Sequence, residues 1–178
     1  MKAGKRVASS RSGWIRGLCF FSLAFSLAGC AGYRVGSLLP AEIQSVHVLP
    51  VDNQTGEPLL EAEVARLLLA QIQFDGSLRV ADAGSADALL RVQLRSFRSD
   101  AIGYRVEQDA TPDEYRVRLE AVYVLSNRET GAVIVQSRSV GESTFQGSGN
   151  LTGARTDAIP AVSRDLARRI VSQLVEAW

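Results

Sequence analysis

The chain has 178 residues and a formal net charge of +1, but its charges are unevenly distributed. Five basic residues and no acidic residue lie in the first 29 positions, so the rest of the chain carries 15 arginines against 19 acids. This negative balance excludes the basic surface of a nucleic-acid-binding domain, and we expect no nucleic-acid partner. One histidine and two cysteines are a poor inventory for hydrolytic or metal chemistry.

Residues 1–29 have the pattern of a secretory signal peptide. A basic start is followed by an apolar stretch over 18–27, and small residues precede Cys30. The apolar stretch is shorter than the ~20 residues that a membrane-spanning helix needs, which argues against a transmembrane helix. The motif Leu27-Ala28-Gly29-Cys30 is typical of a bacterial lipoprotein signal. It predicts that the Cys30 thiol is lipidated and that cleavage makes Cys30 the first residue.

We interpret residues 30–44 as a lipidated tether and residues 45–178 as a single domain, the usual outcome for a chain of this length. Ala31 follows the lipidated cysteine, where an aspartate would favour retention in the inner membrane. The tether therefore predicts the outer membrane, with the domain on its periplasmic face.

The domain begins with a predicted β-α-β unit. Residues 45–51 are rich in β-branched side chains and end in a turn cluster, which indicates a strand. Residues 57–74 carry apolar side chains at helical spacing, and 78–80 return as a strand. His47 could act as a general base, but a polar residue in an alternating strand is the better interpretation.

Three further strands and a helix complete the domain. Apolar and polar residues alternate over 90–95, 115–126 and 133–145. The final helix is predicted from about Thr156 or Asp157 to the end of the chain, with Pro160 in its first turn. The fold class is therefore α+β, in the order β-α-β-β-β-β-α, with a mostly antiparallel sheet and two amphipathic helices on one face.

Two segments between these elements are predicted to be loops. Residues 96–114 form a long insertion that contains Arg105, and 147–156 place Arg155 just before the final helix. Each arginine, taken singly, is more often an ordinary exposed charge than a ligand-binding group.

No segment has the pattern of a catalytic or metal site. The glycines of 147–153 miss the spacing of a dinucleotide-binding loop, and no second strand follows to complete the unit. Asp109, Asp113 and Glu114 lack the spacing of a calcium loop, and no serine lies in a nucleophile elbow. We expect a non-enzyme without metal or cofactor.

A set of short motifs, found in the same order along the chain, resembles the LptE family of lipopolysaccharide-assembly lipoproteins. The segments are Leu27-Ala28-Gly29-Cys30-Ala31-Gly32-Tyr33-Arg34, Val48-Leu49-Pro50, Asn53-Gln54-Thr55-Gly56-Glu57, Ala86-Asp87-Ala88-Leu89-Leu90, Glu114-Tyr115-Arg116-Val117, Arg164-Asp165-Leu166-Ala167 and a closing Trp178. Each motif is short and degenerate, so the specificity of the resemblance lies in their order.

The resemblance implies a function that composition does not show. Family members are anchored in the outer membrane, occupy the lumen of the LptD β-barrel as plug and assembly partner, and bind lipopolysaccharide. Basic residues in the loop before the Glu-Tyr strand and in the loop before the last helix contact lipopolysaccharide in the family. Arg105 and Arg155 fall at those places, although the first loop is longer here than in enterobacterial members.

The sequence leaves two alternatives open. The first is a structural envelope lipoprotein that supports a secretion complex or an oligomeric outer-membrane assembly. The second is a periplasmic hydrolase, for which no catalytic set is visible. The binding partner distinguishes the first alternative from an LptE-like protein. An LptE-like protein would bind one barrel protein, whereas a ring-forming lipoprotein would self-associate.

Overall fold

In a computed structural model of the chain, the structure describes residues 39–40, 42–105, 111–146 and 151–176. The predicted signal peptide, Cys30 and Trp178 lie outside these residues. The elements follow one another in the order β1 (Ser45–Val48), β2 (Asp52–Asn53), α1 (Leu60–Asp75), β3 (Arg79–Val80), β4 (Ala88–Arg105), β5 (Thr111–Asn127), β6 (Val133–Gln146) and α2 (Leu151–Glu176).

One mixed sheet contains all the strands, in the order β3-β1-β4-β5-β6, with β2 paired to β4. Strand β1 pairs in parallel with both β3 and β4, and β2 pairs in parallel with β4. The long strands β4, β5 and β6 form an antiparallel meander. The parallel pairing of β1 with β3 through α1 is that of the predicted β-α-β crossover. The predicted α+β class is therefore confirmed.

Both helices pack on the same face of the sheet. The buried sheet side chains on this face include Leu90, Val92, Leu94, Leu119, Ala121, Tyr123 and Leu125. The helices contribute Leu60, Val64, Leu68, Ile72, Val162, Leu166, Ile170 and Leu174 to the same core. On the opposite face, Arg91 and Arg138 are exposed, so one face of the sheet packs against the core and the other faces solvent. The helices also contact each other.

Helix α1 ends where its sequence predicts. Gly76 adopts a left-handed conformation with φ 76°, and its backbone amide donates to the Ile72 carbonyl oxygen at 3.1 Å. A residue without Cβ is favoured in this conformation, which closes the last turn of the helix. No helix among the described residues is long and apolar enough to cross a membrane.

The prediction of a long loop over 96–114 is wrong. Strand β4 continues to Arg105 and β5 begins at Thr111, so most of this segment is a hairpin arm. The register shifts between Leu94 and Ser96 and again on both sides of Gly103. These bulges interrupt the two-residue alternation, which explains why the sequence does not read as a strand.

The predicted start of the last helix is also wrong. Helix α2 begins at Leu151, which places Arg155 inside the helix and Pro160 in its interior rather than in its first turn. Pro160 is exposed. The bulk of its ring therefore lies away from the sheet, where it does not disturb the core packing.

Candidate functional site

Arg155 connects three elements of the fold. Its Nη2 donates to Oε2 of Glu57 at 3.0 Å, and its Cζ lies 4.9 Å from the ring centroid of Phe97. Arg155 belongs to α2, Glu57 precedes α1, and Phe97 lies on β4. A guanidinium above an aromatic ring and beside a carboxylate is held by both cation–π and ionic attraction. We refer to Arg155, Glu57 and Phe97 as the arginine junction.

A hydrogen-bonded turn presents Glu57 to the junction. Asn53 Oδ1 accepts from the backbone amide of Thr55 at 3.0 Å and from its hydroxyl at 2.7 Å. Asn53 Nδ2 donates to the Glu57 carbonyl oxygen at 2.7 Å, and the Glu57 amide donates to Thr55 Oγ1 at 3.2 Å. Gly56 adopts φ 78° within this turn. The motif Asn53-Gln54-Thr55-Gly56-Glu57 therefore has a local structural role.

Negative charge surrounds the start of α1 beside the junction. Asn53 Nδ2 also donates to Oε2 of Glu61 at 2.7 Å. A backbone hydrogen bond and then this contact with Asn53 lower the pKa of Glu61 below its ordinary value. Glu61 is therefore ionised at neutral pH, and it is linked to the turn that carries Glu57 through their shared partner Asn53.

The junction offers anion binding rather than acid–base chemistry. The Arg155 side chain is 42% exposed and that of Glu57 is 21% exposed, so solvent reaches the ion pair. Nε of Arg155 is buried and has no hydrogen-bond partner. An arginine guanidinium can hold a phosphate with two parallel hydrogen bonds.

The structure separates the two arginines that the sequence singles out. The backbone of Arg105 ends β4, opposite Thr111. It lies eight residues beyond Phe97 on the same strand, which is about 26 Å of extended chain. Because Arg155 lies against Phe97, the backbone of Arg105 lies far along β4 from the arginine junction. The expectation that Arg155 precedes a helix is likewise corrected, since α2 already contains it.

Glu57 and Phe97 are members of the junction that sequence reasoning missed as site residues. In the sequence, Glu57 belongs to the motif Asn53-Gln54-Thr55-Gly56-Glu57 at the start of the first predicted helix, and Phe97 lies in the predicted loop. Three residues before Phe97, Leu94 pairs with Asn53 of β2. The turn that carries Glu57 and the ring of Phe97 are therefore brought together by the pairing of β2 with β4. No local sequence pattern reveals this pairing.

The remaining candidate residues have structural contacts or lie outside the described part of the chain. His47 Nδ1 lies 3.0 Å from the Ala81 carbonyl oxygen, a contact between neighbouring segments. Among the described residues, no group of three or more His, Cys, Asp or Glu side chains is placed to hold a metal ion. Cys30, the predicted lipid attachment site, lies outside the described residues.

Several solved structures are similar to this chain at low sequence identity. A protein from Xanthomonas campestris is 16% identical with a TM-score of 0.52, over 78% of this chain and 90% of its own. The PelC dodecamer from Paraburkholderia phytofirmans is 17% identical with a TM-score of 0.47, over 79% of this chain and 93% of its own. A minor lipoprotein from Acinetobacter baumannii is 11% identical with a TM-score of 0.47, over 76% of this chain and 94% of its own. At 16% identity, the likeness to the Xanthomonas campestris protein concerns the fold alone.

Sequence comparison identifies the family directly. No curated protein sequence matches the chain. The family model described as lipopolysaccharide-assembly, LptE, matches residues 43–174, which include every helix and strand described above except the last two residues of α2. Because the match covers most of the chain, it concerns the whole domain rather than a single motif. The chain therefore belongs to the LptE lipopolysaccharide-assembly family of the bacterial envelope.

Proposed function

We propose that this chain is an outer-membrane lipoprotein that takes part in lipopolysaccharide transport as a binding and assembly protein, without enzymatic activity. The family match over residues 43–174 is the observation that carries the proposal. The motif Leu27-Ala28-Gly29-Cys30 supports a lipid anchor on Cys30 after removal of residues 1–29. Ala31 in place of an aspartate supports the outer membrane, with the domain on its periplasmic face.

The proposed protein partner is the LptD β-barrel, for which this chain would serve as plug and assembly partner. The two-sided character of the sheet supports such a role. Its helix-free face presents exposed polar side chains, including Arg91, Gln136 and Arg138. The interior of large membrane barrels is lined with polar groups, so a plug needs a polar outer surface of this kind.

The proposed ligand is lipopolysaccharide, whose lipid A portion carries phosphate groups. Arg155 supports the proposal because a guanidinium can pair with a phosphate through two charge-assisted hydrogen bonds. Arg105 is proposed as a second contact on the basis of the family resemblance. Because about 26 Å of strand separates Arg105 from Phe97, we infer that the two arginines contact different parts of the ligand.

Affinity purification of the full chain from outer membranes tests the partner. We expect a β-barrel protein to copurify in a one-to-one ratio. Recovery of homo-oligomers without a barrel would contradict the proposal and favour a structural envelope lipoprotein.

Binding measurements with Arg155→Gln and Arg105→Gln test the ligand. Each substitution should weaken binding of lipopolysaccharide and reduce its salt dependence, because screened ionic attraction is lost. Glutamine keeps hydrogen-bonding capacity, so thermal melting should change little. Unchanged lipopolysaccharide binding by both variants at low salt would show that the two arginines are ordinary surface charges.

A further inference from the structure

The guanidinium of Arg155 already has an anionic partner within the chain. Oε2 of Glu57 lies 3.0 Å from Nη2, and Cζ of Arg155 lies over the ring of Phe97, 4.9 Å from its centroid. A phosphate that approaches Arg155 therefore meets a carboxylate that occupies part of the same donor edge. Two anions at one guanidinium repel each other, so ligand and carboxylate compete.

The backbone of Glu57 is held in place by its turn. The amide of Glu57 donates to Thr55 Oγ1, and its carbonyl oxygen accepts from Asn53 Nδ2 at 2.7 Å. Asn53 is anchored in turn by the pairing of β2 with β4 at Leu94. The sheet that positions Phe97 therefore also positions the base of the competing side chain. To leave the guanidinium, Glu57 must change side-chain rotamer while its backbone stays fixed.

The ion pair also ties together the starts of both helices. Glu57 lies just before α1, and Arg155 lies in the second turn of α2. The helices contact each other elsewhere through their apolar faces, so the core does not depend on this pair. Loss of the ion pair would release one polar link between the helix starts and leave the packing intact.

From this geometry we propose that Glu57 is a built-in competitor for the anion-binding group of Arg155, and that a phosphate-bearing ligand binds there by displacing it. The inference rests on the proposed function and adds a regulatory residue to the same site. The chemistry recognised is an anionic phosphate group, which lipid A and free inorganic phosphate share. Glu57 lowers the affinity for weak or singly contacting anions, and a ligand with several simultaneous contacts overcomes the competition.

The test uses the full chain purified in detergent and the charge-removing variant Glu57→Gln. Glutamine is nearly isosteric and can still accept a hydrogen bond from Arg155, so the substitution removes charge with little change of shape. The pair is partly exposed, and we expect Glu57→Gln to tighten binding of detergent-solubilised lipid A by up to about fivefold. Phosphatidylcholine in the same detergent is the control for binding that needs no lipid A phosphate.

A matched control is Glu63→Gln. Glu63 lies in the first turn of α1 and pairs with Arg66 rather than with Arg155. Its substitution makes the same change in net charge a short distance away, and lipid A binding should stay within twofold of the parent. The double variant Glu57→Gln/Arg155→Gln should bind like Arg155→Gln alone, because the gain acts through the guanidinium.

The outcomes separate this inference from the proposed function. If Arg155→Gln weakens lipid A binding but Glu57→Gln binds like the parent, Glu57 is not a competitor, although Arg155 remains a ligand contact. If the parent and Arg155→Gln bind lipid A equally, both proposals for Arg155 fail. An equal gain in Glu63→Gln would also overturn the inference, since general charge would explain it. Titration with inorganic phosphate shows whether the gain needs the lipid or the phosphate group alone.

Discussion

Gly141 on β6 lies so close to Leu166 on α2 that no side chain fits between them. A Cβ on Gly141 would lie 2.7 Å from the backbone nitrogen of Leu166 and 2.6 Å from the carbonyl oxygen of Val162. Both contacts are to backbone atoms, which cannot turn aside as a flexible side chain can. The close approach of the helix to the sheet at this point therefore depends on this glycine.

Replacement of Gly141 by alanine should destabilise the domain. The added methyl group must push α2 away from β6, and overpacking of this kind typically costs about 1–3 kcal/mol. Thermal melting of the full chain in detergent measures the effect. Gly84→Ala is the matched control because a Cβ there would meet nothing within 4 Å. Equal melting temperatures for the two variants would contradict the close-packing argument.

Asp165 should make stability depend on pH in the acid range. Burial alone would raise its pKa, but hydrogen bonds from the Glu142 amide and from Arg169 and Arg168 outweigh burial and lower the pKa below its ordinary value of 3.8. A lowered folded-state pKa stabilises the native state above the unfolded-state pKa, and this contribution disappears as the pH falls through the folded-state pKa. Asp165→Asn should therefore melt at lower temperature than the parent at pH 7.

The difference in melting temperature between the parent and Asp165→Asn should become smaller as the pH falls below about 4, near the ordinary aspartate pKa. Melting curves at several pH values between 7 and 3 measure it. Asp157→Asn is a control, since Asp157 is an exposed acid on the same helix. A gap between the parent and Asp165→Asn that stays constant with pH would mean that charge on Asp165 contributes nothing to stability.

Ile170→Asp should prevent stable folding. Ile170 is fully buried on the apolar stripe of α2, and a carboxylate there has no charge partner. Arg164→Gln, on the exposed side of the same helix, should change stability by less than about 0.5 kcal/mol. Arg168 is a less suitable control because it pairs with Asp165. Cooperative melting of Ile170→Asp near the parent temperature would refute the assigned helix face.

Cys30→Ser should release the protein from the membrane without unfolding it. The proposed anchor carries several acyl chains, each contributing about 0.8 kcal/mol per buried methylene, whereas serine does not receive them. Fractionation of cells that lack the barrel partner measures the change, since the barrel could otherwise retain the protein. Outer-membrane association of the serine variant in those cells would contradict the anchor assignment.

Local patterns predicted the elements that have their own hydrophobic period. The apolar residues of α1 recur at helical spacing, and Val117, Leu119, Ala121 and Tyr123 alternate along β5, so a single apolar face identifies each element. The far half of β4 has no such pattern. Its polar residues and bulges are held in a strand by pairing with β5, which local sequence does not report.

The start of α2 shows the same limit. Pro160 suggests a first helical turn because its ring is favoured there, yet the helix extends nine residues before it. The ring lies on the exposed side of the helix. A helix with an apolar stripe packed on the sheet tolerates one lost hydrogen bond, so tertiary packing outweighs the local preference of proline.

The amino-acid sequence alone determined the predicted export signal, the α+β class, the face of each helix that is buried and the family resemblance, because these follow from residue spacing and order. Only the tertiary structure decided what Arg155 contacts. Glu57 is 98 residues away in sequence and Phe97 is on a strand that the sequence presents as a loop. The arginine junction forms because β2 pairs with β4 beside the start of α2, and long-range pairing of this kind has no local signature.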